Sequence, residues 1–214
     1  MKNLTIVKDN KWVWPSSDEN SWQGQNESVN LVDKILPYVR NNEVLVQAGG
    51  NCGFILSTFL PYFETIYTFE PDPINFYCLN QNVTDPKVIK LQSCLGTDPN
   101  PVKTQQLIRP ERLHDIGGVH VNGKGFTPSI SLDSLHLPKC DLIQLDVEGY
   151  ELHALLGATE TIKKHRPTLC IEFCEKWLNR YNNTSGQILE LLEELGYKEV
   201  DAHRVDKIFI PNEL

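Results

Sequence analysis

The stretch Asp141-Leu-Ile-Gln-Leu-Asp146-Val-Glu148-Gly149-Tyr-Glu-Leu-His-Ala-Leu-Leu-Gly157-Ala decides the fold. Leu142–Asp146 is an apolar run that ends on an acid. Glu148 follows two residues on, and a helical pattern begins after Gly149. A carboxylate is costly to bury without a partner, so an acid pair at the mouth of a strand points to a ligand site. The segment Val44-Leu-Val-Gln47-Ala-Gly49-Gly50-Asn51-Cys52-Gly53 is another strand running into a turn. Two such mouths predict an open α/β sheet with its ligand at the carboxyl ends of the strands.

Outward from these mouths the chain alternates. Ser28 to Arg40 carries Val29, Val32, Ile35, Leu36 and Val39 at helical spacing. Gly53 to Phe63 is a second expected helix, closed near Pro61. Thr65–Phe69 alternates β-branched and aromatic residues as strand two. A helix from Pro73 to about Asn82 and a third strand over Lys87–Gln92 follow. Residues 96–128 are rich in glycine, proline and polar residues, and predict a long excursion with a short hairpin, where a substrate lid could sit. Ser131–Leu135 is a turn or short helix. The helix after Gly149 breaks near Gly157, resumes to His165 and stops at Pro167, and Thr168–Phe173 is strand five. Thr184 and Gln187 form a capping box for a helix to Leu195, with Gly196 at its end. Tyr197–Ala202 and Arg204–Ile210 are too closely spaced for a helical crossover and predict an antiparallel hairpin.

The bulk numbers agree with one α/β domain. The 214 residues are 40% hydrophobic and 22% charged, with a formal charge of −8, which argues against sequence-independent binding to nucleic acid. No apolar run has the roughly 20 residues of a membrane helix, and Met1–Lys11 lacks a signal-peptide pattern. The six cysteines form no Cys-x-x-Cys pair, so buried free thiols in a reducing, cytoplasmic setting are expected. Trp12, Trp14 and Trp22 make residues 1–27 a strap packed on the domain or a lid over a site.

Gly49 to Gly53 lies where strand one turns into a helix, where backbone can approach a ligand closely and helix N–H groups are free. Its Gly-x-x-x-Gly spacing differs from the dinucleotide-binding Gly-x-Gly-x-x-Gly. Twenty-one residues after Gly49, strand two ends in Phe69-Glu70-Pro-Asp-Pro73. An acid there can accept both hydroxyls of a ribose, so turn and acid together point to an adenosine-containing ligand. Glu148 and Glu172 follow or end adjacent strands, which brings them together near Asp146. One of them is a candidate base or acceptor clamp. Glu148 as a cap of the following helix is the alternative. Hard cations take oxygen ligands, but no metal is expected here. His153 is expected to be a solvated helix residue, and His114 and His120 are not placed.

The chain resembles the FkbM family of S-adenosylmethionine-dependent methyltransferases over roughly residues 40–175. The resemblance rests on Gln47 to Gly53, Phe69 to Pro73, Ser93-Cys-Leu-Gly96, Ser131-Leu-Asp133-Ser-Leu135, Asp141 to Gly157 and Arg166-Pro-Thr-Leu-Cys-Ile-Glu172. It implies a class I methyltransferase fold, a Rossmann-like three-layer sandwich whose seven-stranded, mostly parallel sheet has one antiparallel strand near the C-terminus. Residues 1–40 would be a strap or lid plus a helix packed on a single domain, 41–214. Gly49, Asn51 and Gly53 would contact the methionine end of the cofactor, Glu70 the ribose, and Ser93 and Cys94 the adenine. Asp146 would face the methionine amino group and the reaction centre. Gln47 stands where the family usually has Asp and offers no negative charge to the cofactor. The implied activity is O-methylation of a hydroxyl on a small molecule or sugar, with no nucleic-acid or membrane partner and with oligomeric state open. A non-catalytic binding domain and a nicotinamide-dependent oxidoreductase are the rivals. The second lacks both its glycine motif and a Tyr-x-x-x-Lys pair.

Overall fold

A computed structural model describes residues 4–8, 12–15, 30–109 and 112–214. An N-terminal hairpin, β1 (Leu4–Lys8) and β2 (Trp12–Pro15), precedes helix α1 (Leu31–Ile35) and a 3-10 turn over Leu36–Tyr38. β3 (Val44–Ala48), α2 (Phe54–Phe59), β4 (Thr65–Phe69), α3 (Pro73–Asn82) and β5 (Val88–Leu91) then alternate. The excursion holds β6 (Cys94–Leu95), β7 (Val102–Arg109), β8 (Arg112–Lys124), β9 (Ser129–Ile130) and a 3-10 turn over Leu132–Leu135. After it come β10 (Leu142–Leu145), α4 (Glu151–Leu156), α5 (Thr159–His165) and β11 (Thr168–Glu172). The chain continues through α6 (Glu175–Leu178), a 3-10 turn over Asn179–Tyr181, α7 (Ser185–Glu194), β12 (Tyr197–His203) and β13 (Asp206–Pro211).

The main sheet has seven strands in the order β12-β13-β11-β10-β3-β4-β5, and β13 alone runs antiparallel to its neighbours. This is the class I methyltransferase arrangement that the resemblance implies. Strand order reverses between β3 and β10, which opens a crevice at their carboxyl ends. Both central strands are buried from end to end, as a sheet covered on two faces requires. Val46, Ala48, Ile143 and Leu145 pack under α4, α5 and α7 through Ala154, Ile162 and Ile188. Leu45, Ile66 and Leu142 pack on the other face against α1, α2 and α3 through Ile35, Phe59 and Leu79.

Several local expectations change. Of the helix expected from Ser28, residues 28 and 29 lie outside the described residues. The rest is one turn of α-helix that tightens to 3-10 at Pro37, which has no N–H for the α ladder. The helix before Pro61 ends at Phe59, with Leu60 still in helical backbone as its C-cap. In place of a short hairpin, residues 102–124 form a long one, with three register shifts that hide any simple alternation. The capping box at Thr184 and Gln187 forms as expected. Trp14 is fully buried beside Cys52, Phe54 and Cys78, while Trp22 lies outside the described residues. Asn82 fastens β2, donating to the carbonyls of Val13 and Cys52 and accepting from the Val13 N–H. β2 is thereby laid on α3 and on the back of the glycine turn. The six cysteines are free thiols. Among the described residues no helix is long and apolar enough to cross a membrane.

Candidate active site

The glycine turn forms because β3 must reverse against β4 with little room. The N–H groups of Gly49 and Gly50 both donate to the Phe69 carbonyl, each at 3.0 Å. Gly49 has φ +92°, and a β carbon there would stand 1.8 Å from the Asp146 carbonyl oxygen. Only glycine fits that approach. Asn51 follows in the left-handed region at φ 46°. Its N–H donates to Glu70 Oε2 at 2.7 Å, while the Asp72 N–H donates to Oε1 at 2.8 Å. The Asn75 side chain adds a third hydrogen bond to this carboxyl, which leaves it one free lone pair. Burial, with the Asp72 charge, pushes Glu70 up to about 8 against the pull of the two backbone N–H groups and the Asn75 side chain. Gly53 sits against Val83 and Leu79 and opens α2.

Ser93 is drawn to the same place, since the Leu91 carbonyl accepts from both the Glu70 N–H and the Ser93 N–H. The Ser93 hydroxyl is buried and has no hydrogen-bond partner among the described residues. Cys94 starts β6, paired in parallel with β9, and burial pushes its thiol up to about 12. Gln47 is buried in the sheet, level with Thr68 and Gln144 on the flanking strands, and its Oε1 accepts from the Thr68 hydroxyl at 3.0 Å.

Across the crevice, Asp146 leaves β10 with its N–H on the Ala48 carbonyl at 3.1 Å. Glu148 adopts φ 56° and Gly149 φ +104°. A left-handed glutamate costs about 1–2 kcal/mol, a strain typical of functional turns. Glu151, not Glu148, caps the segment: its Oε1 accepts from the Val147 and Gly149 N–H groups at 3.1 and 3.2 Å. Glu172 ends β11 beside β10 and is paired with Asp206 of β13. Asp146, Glu148, Glu151 and Asp206 surround Glu172, and burial with these charges raises it strongly. Burial also raises Asp146, and it pushes Glu151 and Asp206 each up to about 7. Among the described residues no group of three or more His, Cys, Asp or Glu is arranged to hold a metal ion.

The β7–β8 hairpin roofs the crevice and is tied down on both sides. Thr104 donates to Asp72 Oδ2 at 3.3 Å and Thr127 to the Pro71 carbonyl at 3.4 Å. On the opposite side the Tyr181 hydroxyl donates to the Val121 carbonyl at 2.7 Å. Under the roof Val102, Val121, Cys94 and Tyr150 form a small apolar cluster. His153 is half-buried and partnered, not a free helix residue. It stacks on Tyr150 with ring centroids 4.2 Å apart and meets the Asn183 side chain at 3.3 Å.

Glu151, Asp206, Arg180 and Tyr181 belong to this site and were not assigned from sequence. An acid in the first turn of a helix is a readable cap signal for Glu151. Asp206 and Tyr181 reach the site only through tertiary packing.

A family model described as Methyltransferase FkbM domain matches residues 57–199. No curated protein matches the chain. Similar solved structures include a methyltransferase FkbM from Methylobacillus flagellatus KT, at 20% identity and TM-score 0.54, covering 79% of this chain and 43% of that one. A precorrin 8W decarboxylase from Methanobacterium thermoautotrophicum aligns at 14% identity and TM-score 0.51, over 86% of this chain and 89% of its own. A fibrillarin/Nop5p complex contains a chain aligned at 16% identity and TM-score 0.52, over 98% and 96%. At such identities these likenesses show the fold. This chain spans less than half the length of the Methylobacillus protein.

Proposed function

Since the chain belongs to the FkbM methyltransferase domain family, we propose that it is an S-adenosylmethionine-dependent methyltransferase acting on a hydroxyl of a small molecule or sugar. The observation that carries this reading is the Glu70 carboxylate. It is fixed by backbone N–H groups from the glycine turn and from the loop after β4 and by the Asn75 side chain, and one lone pair is left for a ribose hydroxyl. The unpartnered Ser93 hydroxyl beside it suits the polar edge of an adenine, and Cys94 continues that wall. Gly49, Asn51 and Gly53 would admit the methionine end, with Asp146 facing its ammonium. Gln47 would lie beneath and offer a dipole where an acid would offer charge.

Bound S-adenosylmethionine would supply an electrophilic methyl group on a sulfonium for a hydroxyl oxygen to accept. The chain's own task is alignment and proton removal. Asp146, Glu148 and Glu172 stand at the carboxyl ends of adjacent strands, where a carboxylate can take the hydroxyl proton. The hairpin roof would exclude water and shape the acceptor pocket. The net charge of −8 supports an acceptor other than nucleic acid, and six free thiols suit the cytoplasm.

Calorimetric titration with S-adenosylhomocysteine tests the reading. Micromolar binding is expected, lost in Glu70→Ala. A wild-type protein that takes up no S-adenosylhomocysteine ends the proposal.

A further inference from the structure

Glu148 is the only acid of the described site with a left-handed backbone, and its surroundings hold it there. A β carbon on the following Gly149 would stand 2.2 Å from the Trp177 carbonyl oxygen, so the turn is pressed against α6. Arg180, one turn beyond Trp177, lies over the indole with its guanidinium carbon 4.1 Å from the ring centroid. Its Nη1 donates to the Glu148 carbonyl at 3.0 Å and stands 3.7 Å from Glu148 Oε2. The two side chains are only 18% and 14% exposed, so solvent screens this pair weakly. A planar guanidinium stacked on an aromatic face is a preorganised donor that a lysine does not reproduce.

Glu172 differs in the charges that act on it: they are four carboxyl groups, Glu148 among them, where Glu148 has the Arg180 guanidinium. A carboxyl so placed keeps its proton at neutral pH and is a poor acceptor of another.

We propose that Arg180 is the positioning residue of the site: held flat by Trp177, it fixes Glu148 in its left-handed turn and supplies its countercharge, so that Glu148 rather than Glu172 takes the acceptor's proton. The proton passes from the acceptor hydroxyl to a Glu148 carboxylate oxygen. This assignment of the base rests on the methyltransferase reading above, whereas the Arg180–Glu148 clamp does not. The charged groups around Glu148 are Arg180 from the 3-10 turn, Asp146 and Glu151 from its own segment, and Glu172 from β11. Asp206 of β13 stands beyond Glu172, and Lys176 lies over the Trp177 ring.

The test needs no acceptor. The carboxyl carbon of Glu148 is titrated by carbon-detected NMR in the full chain, in wild type, R180M and R180K. In R180M the midpoint should rise by about one pH unit or more, a tenfold gain in proton affinity. R180K, which keeps the charge, should restore most of that change. In wild type the clamped guanidinium should give separate Nη resonances. An unmoved midpoint in R180M overturns the clamp. If R180M does not fold, a single averaged Nη resonance in wild type overturns it instead. S-adenosylhomocysteine affinity, measured on the same samples, keeps the two readings apart. Its absence from wild type would fail the methyltransferase reading and with it the base assignment, while the titration alone judges the clamp.

Discussion

The α carbon of Gly49 lies so close to the Asp146 carbonyl that a methyl group added to it would overlap the oxygen at 1.8 Å. The mouths of β3 and β10 therefore touch through backbone, and the crevice between them has a fixed floor. Gly49→Ala should force the two strand ends apart, costing about 2–4 kcal/mol from the clash and the positive φ together. Denaturant melts would measure the loss, and S-adenosylhomocysteine binding should go with it. An alanine variant with wild-type stability would mean that the turn is not so confined.

The buried carboxyls set an unusual pH dependence. Glu70 is raised from 4.5 to about 8, Glu151 from 4.5 to about 7 and Asp206 from 3.8 to about 7, each chiefly by burial. The folded chain thus holds more protons than the unfolded chain between these limits. Their contribution to stability is fully present below about pH 4 and is lost as pH rises towards 7 and 8. Unfolding free energy should fall by at least about 1 kcal/mol per pH unit between pH 5 and 7. A curve that rises with pH over that range would count against these environments.

Tyr181→Phe removes the bond to the Val121 carbonyl and leaves the ring in place. A modest loss of about 1 kcal/mol is expected. Amide hydrogen exchange should quicken in residues 119–124, with S-adenosylhomocysteine affinity unchanged. Unchanged exchange would show that the hairpin is held by its other contacts alone.

Trp14→Ala empties a fully buried site between α3 and the glycine turn and should cost about 3–5 kcal/mol. Cys52 and Cys78, both fully buried behind the indole, should then react with a thiol reagent under native conditions. Retained protection of both thiols would argue that the strap contributes little cover.

Gln47→Asp puts a shorter, charged group where the Thr68 hydroxyl now donates to an amide oxygen. Burying that charge should destabilise the free protein by about 1–3 kcal/mol. Cationic S-adenosylmethionine should gain affinity over neutral S-adenosylhomocysteine. Equal effects on both ligands would place position 47 outside the reach of the sulfonium.

Periodicity in the sequence was enough to determine the sheet. The runs at 44–48 and 142–145 are apolar almost throughout, so they had to be central strands with helical crossovers, and the β-branched and aromatic residues at 65–69 and the apolar run at 168–172 mark the strands beside them. The closely spaced segments 197–203 and 206–211 had to pair as a hairpin. Glycine turn, Glu70 and the acid pair were legible because each sits at a strand end, where local sequence fixes position. Tertiary structure alone decided the rest. The hairpin over 102–124 is mostly polar and shifts register three times, so no alternation announces it. Glu151 and Glu148 lie three residues apart and look interchangeable until packing against α6 sends one to the backbone N–H groups and the other to Arg180. Arg180 stands 32 residues from Glu148, and Asp206 meets Glu172 only because β13 inserts antiparallel beside β11. Propensity and periodicity act over a few residues, whereas the pairing of charges across strand ends is set by which backbones the closed sheet brings together.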